Sequence, residues 1–310
     1  LVPLLRQVTV QRSTAEWIAL LEVANVPCGP INTLADVFAD PQVQARGLKI
    51  ELTDLPAKGR DKLAHVAAFR TACNAPDHAA FAHWGATSQD IMDSALALRL
   101  KRLIELWEGR LDGLLAALGA VAAAHADLPM AARTYGQVAT PTSFGAVVAG
   151  WGWPLHAQRA ALAVLRPALL RVSLSGAAGT LSAMGEAGPA VRAGLAKALG
   201  LDDPGHSWHS DRTGITALAG WMASTTAVLG KLGEDLILLT QSGIGEVQIA
   251  GAGASSTMPQ KQNPVGPSAL VALARQVVAL AGVLQDAGLH RQQRDGAAWF
   301  AEWLSLPQAC

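Results

Sequence analysis

Cysteine is scarce: three in 310 residues, Cys28, Cys73 and Cys310, with no CxxC pair among them. So sparse and odd a set excludes a disulfide framework and fits reduced thiols in a cytoplasmic protein. Tyrosine is scarcer still, with Tyr135 standing alone. Charged residues reach only 15% against 51% hydrophobic. That is little charge for a soluble monomer, and it points to helical surface buried against other subunits. Neither sign of charge is in excess, since Lys plus Arg and Asp plus Glu both number 24. No basic patch or RNP-like aromatic motif is present, which argues against nucleic acid as a partner. No secretion signal is evident. Arg, Asp, Glu or Gly interrupts each apolar stretch short of a membrane span, which argues against a membrane partner. The chain starts at Leu1 and stops at Cys310 inside a helical pattern, so it reads as a fragment.

The first 57 residues differ from the rest. "RSTAEWIALLEVANVPCGP" opens with a capping box, Ser13 with Glu16, and predicts a short amphipathic helix ending before Gly29-Pro30. Two short helical turns broken at Asp40-Pro41 and a strand-like "LKIELTDL" follow. "PAKGRDK" at 56–62 is turn-rich and marks the boundary between a region 1–57 and a region 58–310.

Beyond the boundary the periodicity is helical almost throughout. Ser88 is the expected N-cap of a helix from Gln89 to about His125. Ile91, Ala95, Leu98, Leu103, Leu106, Leu111, Leu114 and Leu118 keep helical spacing along it. Thirty-odd residues at ~1.5 Å each span roughly 55 Å, a length common in bundles and unusual in a compact globule. Further helices are expected over about 142–170, 187–199, 211–245, 265–289 and from 297, with loops at 126–141 and 246–264. "GAAGTLSAMG" (176–185) reads as a connector where backbones approach closely. The fold class is therefore all-α, a long-helix bundle with a small α+β N-terminal segment.

Three polar segments interrupt this pattern: "HWGATSQD" (83–90), "ARTYGQVATPTSFG" (132–145) and "GAGASSTMPQKQNPVG" (251–266). In the first, the Thr87 and Ser88 hydroxyls with the N–H groups of a helix start make an anion site. A plain N-cap explains the same residues. In the second, Thr134, Tyr135 and Gln137 offer donors. The third carries hydroxyls, a cation and an amide within a few residues. Converging at one end of a bundle, the three would form a single pocket.

"GASSTMPQKQNP" resembles the GSSxMPxKxNP loop of the fumarase/aspartase superfamily, and the other two segments resemble its remaining regions in the same order. Within the superfamily, "HWGATSQDIMDSA", "WHSDR" and "RDGAAWFAEWLSLP" are most similar to the cycloisomerase branch. The resemblance covers about 61–310 and leaves an early N-terminal part and a C-terminal domain of full-length members without a counterpart. "AEWIALLEVANVPCGPINTLADVFADPQVQARGL" resembles a segment of family III CoA-transferases that lacks that family's catalytic aspartate. The chain thus reads as a junction of two partial proteins.

The superfamily makes or breaks a bond beta to a carboxylate through an aci-carboxylate dianion. Such chemistry needs a base near the alpha carbon and donors around the carboxylate. The resemblance implies Ser256 as acid/base, activated when its loop closes, with Lys261 catalytic beside it. It implies substrate binding by Thr87, Ser88, Gln89, Arg133, Thr134, Tyr135, Gln137, Arg212, Ser255, Met258, Asn263 and His290. Many lyases of the superfamily carry His where this chain has Tyr135. A phenol is too weak an acid near neutral pH to replace it, so Tyr135 is assigned to binding. The implied reaction is closure of 3-carboxy-cis,cis-muconate to a lactone by its own tethered carboxylate. The substrate is a small di- or tricarboxylate, the assembly a homotetramer, and no cofactor is implied. His206 and His209 lack a third ligand cluster, so no metal is expected. Two alternatives stay open: another lyase of the superfamily, adenylosuccinate lyase-like, or a truncated helical assembly without turnover.

Overall fold

A computed structural model describes residues 69–73, 76–250, 253–254, 258 and 261–310, together with 11–13, 16, 19, 20 and 23. The chain divides into two compact units, Leu1–Ala68 and Phe69–Cys310. In the first unit the capping box is formed. The Ser13 amide and hydroxyl both donate to Glu16 Oε2 at 2.8 Å, and the Glu16 amide returns a bond to Ser13 Oγ at 3.3 Å. The strand-like stretch, the turns around Asp40-Pro41 and the 56–62 boundary lie outside the described residues.

The second unit begins with helical residues 69–72, and a helical turn follows at Pro76–Ala79. Helix α1 then runs over Ser88–Ala124, 37 residues, with Thr87 as its N-cap, one position before the expected Ser88. A hairpin follows, β1 Pro129–Thr134 and β2 Gln137–Ser143. Helix α2 (Phe144–Leu169) returns along α1. A connector leads to the short α3 (Gly188–Leu199) and then to α4 (Thr213–Leu239). The two-residue strands β3 (Gly253–Ala254) and β4 (Gln262–Asn263) precede α5 (Val265–Asp286) and α6 (Gly296–Ala309).

Side-chain contacts give the directions. Arg159 and Arg166 of α2 pair with Asp112 and Glu108 of α1, so α2 runs antiparallel to it. Trp221 and Asp235 of α4 meet Gln158 and Trp151 of α2, so α4 runs parallel to α1. The Gln285 amide reaches Thr216 O, so α5 descends along α4. Ala97, Leu100, Ile104, Leu155, Leu162, Leu218 and Leu284 fill the core between these helices.

Two expectations are corrected here. The loop at 126–141 is largely the β1–β2 hairpin. Tyr135 (φ 52°) and Gly136 (φ 73°) both adopt positive φ at its tip, the requirement of a two-residue type I′ turn. On α1, the buried seam is Asp93, Ala97, Leu100, Ile104 and Leu111. Ile91 and Leu106 of the expected apolar stripe are about half exposed. The helix carries more apolar surface than the rest of the described chain covers.

The most apolar helix behaves likewise. Among the described residues α5 is the one helix long and apolar enough to cross a membrane, although every apolar stretch was expected to be interrupted too soon. Its interruption, Arg275, is paired with Glu234 of α4 at 2.8 Å. Val271, Ala274, Val277, Ala281 and Leu284 bury one face of α5 in the bundle. Val265, Leu273, Val278 and Val283 leave another exposed.

Backbones approach closely at several glycines, Gly214 and Gly233 among them, and two bear on the 176–185 connector and the start of α2. At Gly176 (φ 78°) a Cβ would lie 2.9 Å from Gly85 O, as expected for the 176–185 connector. At Gly145, in the first turn of α2, it would lie 2.4 Å from Ala122 O and 2.7 Å from Ala126 Cα. Those are backbone atoms of the last turn of α1 and of the segment just after it, and they cannot rotate away. Alanine gains up to ~1 kcal/mol of helix propensity over glycine, while forced overpacking costs about 1–3 kcal/mol and more against backbone. Gly145→Ala should therefore lower the unfolding free energy in urea, and a stability equal to the parent's would show that α1 and α2 separate there at no cost.

Candidate active site

The geometry begins at the start of α1. Asp90, in its first turn, is fully buried and accepts five hydrogen bonds. The Ser175 amide (2.8 Å), the Ser173 hydroxyl (3.2 Å) and His209 Nε2 (2.7 Å) reach Oδ1. The Thr87 and Gly176 amides reach Oδ2 at 2.9 and 3.0 Å. Burial pushes the Asp90 carboxyl up. The His209 bond, the Thr87 amide, the His209 charge and the Gly176 amide outweigh it and hold the carboxyl below its ordinary range.

One turn along, Asp93 meets Arg212 in a two-pronged pair at 2.9 and 3.2 Å. Glu302 of α6 takes the other side of the same guanidinium at 2.8 and 2.5 Å. Trp208 covers its face at 5.0 Å. All three ionic side chains are at most 1% exposed. Burial pushes the Asp93 carboxyl up, against the attraction of Arg212. Gln89, also buried, donates to Asp93 and to His209 O at 3.2 and 2.8 Å. Both ring nitrogens of His290 are buried without a hydrogen-bond partner. Burial first and the Arg212 charge second hold its pKa below the usual value. Arg212 and Gln89, expected at the substrate, are thus engaged by buried neighbours.

Thr87 and Ser88 are half-buried at the rim of this cluster. Arg294 donates to Thr87 Oγ1 at 2.5 Å. Sequence reasoning missed Arg294, Asp93 and Glu302. The signal for Glu302 was a lone carboxylate within the apolar "WFAEWL", which demands a buried cation.

The remaining candidates lie at the other end. Arg133 on β1 pairs with Glu246 at 2.6 and 2.8 Å. That bond holds the Glu246 carboxyl below its ordinary range. Thr134, Tyr135 and Gln137 are exposed at the hairpin tip. Lys261 and Asn263 line a cavity of about 630 Å³ with Gln241 and Gln248. Met258 is exposed, and its backbone carbonyl accepts from the Lys261 amide at 2.9 Å. Ser255 and Ser256 lie outside the described residues. Among the described residues no group of three His, Cys, Asp or Glu is arranged to hold a metal ion. His206 is exposed while His209 is committed to Asp90.

The three polar segments therefore do not converge at one end of this subunit. The first opens α1; the hairpin follows its far end, where Met130 packs with Trp151 and Leu239. The third segment follows α4, which runs parallel to α1, so it sits at the hairpin's end. Thirty-seven residues at ~1.5 Å put about 55 Å between the two groups.

A family model described as Lyase matches residues 52–279. The chain belongs to the lyase family. A second model, CoA-transferase family III, matches residues 1–80. The chain is 42% identical over 233 residues to a 3-carboxy-cis,cis-muconate cycloisomerase of Pseudomonas aeruginosa, covering 74% of this chain and 51% of that one. It is 36% identical over 317 residues to a nitrosuccinate lyase of Streptomyces davaonensis, covering 95% and 66%. Its fold matches a 3-carboxy-cis,cis-muconate lactonizing enzyme of Pseudomonas putida with a TM-score of 0.74 at 35% identity, covering 87% of this chain and 59% of that one. The chain spans about half the length of the cycloisomerases it matches.

The buried Asp90 gives a pH-dependent expectation. Its native pKa lies below the unfolded value of about 3.9, so its contribution is complete above that pH and is lost as pH falls through the native value. Asp90→Asn turns an amide NH₂ toward at least two N–H donors, whichever way it flips. It should cost about 3 kcal/mol at neutral pH. Urea unfolding from pH 7 down to pH 3 checks both: the gap between parent and variant is largest at neutrality and narrows below about pH 4.

Proposed function

We propose that this chain carries the substrate-binding and proton-transfer core of a cycloisomerase acting on 3-carboxy-cis,cis-muconate, assembled as a cytoplasmic homotetramer. The observation that supports it most is the division of the polar segments between two ends of one rigid helix. A site needing all of them requires a second copy running the opposite way. The exposed apolar faces of α1 and α5 suit that assembly. In this reading residues 58–310 form the catalytic region, and residues 1–57 add nothing to the chemistry.

Lys261 and Asn263 from one copy would meet Thr87, Ser88 and Arg294 from another. The lysine and the N-terminus of α1 would hold two carboxylates of the substrate. One of its carboxylates adds to the double bond within the same molecule, closing the lactone. The proton moves at the carbon alpha to a second carboxylate, with Ser256 as its carrier. Charge grows on that carboxylate as the dianion forms, so Lys261 lowers the barrier more than it strengthens ground-state binding. Thr134, Tyr135 and Gln137 would reach the same site from an exposed hairpin tip.

A second reading is supported by the match to nitrosuccinate lyase, which extends over nearly the whole chain. There the same groups would expel a leaving group beta to a carboxylate instead of closing a ring.

The test combines the ultraviolet absorbance of 3-carboxymuconate with subunit mixing. Lys261→Met should lower kcat by about 10²-fold with a smaller change in KM, the scale of losing one preorganised donor. Thr87→Val, at the other end, should also lose activity. Refolding the two variants together should restore up to about a quarter of the parent's activity, the share of sites built from two intact halves in a random mixture. No recovery in mixed tetramers would sink the shared site. Unchanged 3-carboxymuconate absorbance, with release of fumarate from a succinate that carries a leaving group beta to a carboxylate, would favour the lyase reading.

A further inference from the structure

Arg133 is the cation nearest the hairpin tip and stands on the segment expected to bind substrate. Both of its terminal nitrogens are nevertheless taken by Glu246, at 2.6 and 2.8 Å, and Nη1 also reaches Ala131 O at 3.5 Å. The two side chains are 27% and 29% exposed, so the pair is only partly screened by water. A two-pronged fork of this kind fixes orientation as well as distance.

Glu246 begins the stem of the Ser256 loop. Its own amide and that of Val247 donate to Leu239 O at the end of α4, at 3.0 and 3.3 Å. Two residues on, Gln248 Nε2 donates to Gln262 Oε1 at 3.4 Å, and Gln262 pairs with Ala254 across β3–β4. Among the described residues, Glu246 is therefore the one point where the ingoing stem, the end of α4 and the hairpin are tied through a charged side chain. Lys261 has no ion pair with a described residue.

We propose that Glu246 is a positioning residue: it holds Arg133 away from the substrate and fixes the loop stem against the hairpin, so that Lys261 alone supplies the cation at this end of the site. The inference rests on the proposed reaction for its kinetic consequence and on geometry alone for its structural one.

The ion pair joins strands with different chemical duties. The hairpin presents Thr134 and Gln137, and the stem presents Lys261 and Asn263. A free guanidinium would compete with Lys261 for the same carboxylate at a different place. Glu246 neutralises that competitor where it stands. It also restrains the stem, because separating Glu246 from Arg133 frees the segment between Leu239 and Gln248 to move from the hairpin. Local opening of such a stem exposes the Lys261–Gln262 peptide bond.

The experiment reads the stem and the chemistry separately. In brief trypsin digestion of the folded chain, mass spectrometry follows cleavage after Lys261. Glu246→Gln should raise that cleavage several-fold and lower kcat about tenfold with KM within about twofold. The reversed pair, Arg133→Glu with Glu246→Arg, should return both toward the parent. Circular dichroism on each variant registers that the helices are intact, as expected for a half-exposed pair outside the core. Unchanged cleavage in Glu246→Gln would overturn the proposal. So would a reversed pair that recovers protection but not turnover, because Arg133 would then be a substrate contact. If the parent turns over no carboxylate substrate, cleavage after Lys261 still decides the stem proposal, and the proposed reaction alone fails.

Discussion

A straight helix of 37 residues fixes the scale of the second unit. Its hydrogen-bonded rise leaves no freedom to bring Thr87 toward Gln137, since both are attached to opposite ends of one rod about 55 Å long. The other long helices conform to that rod. α2 returns along it, α4 repeats its direction and α5 returns again, so every second connection falls at the same end. The connections after α1 and α4 carry the hairpin and the Lys261 segment. The connections after α2 and α5 carry His209, Arg212, His290 and Arg294. The polar groups are sorted by the parity of the connection, and one chain carries two unlike sets of them at its two ends.

Each end is held by a different kind of bond. At the start of α1, Arg212 is locked between Asp93 and Glu302 with all three buried. Replacing such a triad by apolar side chains is often neutral or stabilising, whereas removing one member costs about 3–5 kcal/mol. Its value here is one of register. The guanidinium accepts one arrangement of α1, α4 and α6, and a slip of any helix would strand a buried charge. Asp90 does the same for the extended segment after α2, where it gathers the amides of Ser175 and Gly176. At the other end the ties are half-exposed: Arg133 to Glu246, and Gln248 to Gln262. The first end is rigid and dry; the second is joined by bonds that water can replace.

Much of this was legible in the sequence. Helical periodicity gave the helices of the bundle to within a few residues at most ends, because strong apolar spacing over 20 or more residues is hard to mistake. The hairpin was missed because Pro129, Thr140 and Pro141 read as loop residues, and the positive-φ pair was Tyr135-Gly136 rather than Asn-Gly. The stripe on α1 was misjudged for a different reason. Periodicity reports that a face is apolar without saying which neighbour covers it, and Ile91 and Leu106 face outward from this subunit. The buried Arg212 was grouped with the substrate residues because a motif marks a residue as needed without saying what it touches. No spacing in the sequence joins Arg212 to Glu302, 90 positions away.

The same ambiguity explains why composition was informative. Low charge and high apolar content gave the expectation of an assembly before any helix was placed. The structure gives that surplus an address, on the outward faces of α1 and α5. Helix α5 carries such a face, starts two residues after Asn263 and ends four before His290, so under the proposed reading association and chemistry are connected directly. Under the proposed reading, the contact that covers α5 is the contact that brings Lys261 of one copy toward Thr87 of another. Association then stabilises the folded chain by mass action and completes the site in the same step. A separated subunit would keep its buried Arg212 lock and its core, yet hold only half of the groups needed at any one carboxylate. Folding and activity would part company on dilution, with activity lost first, because the lock that keeps the fold lies within one chain and the site does not.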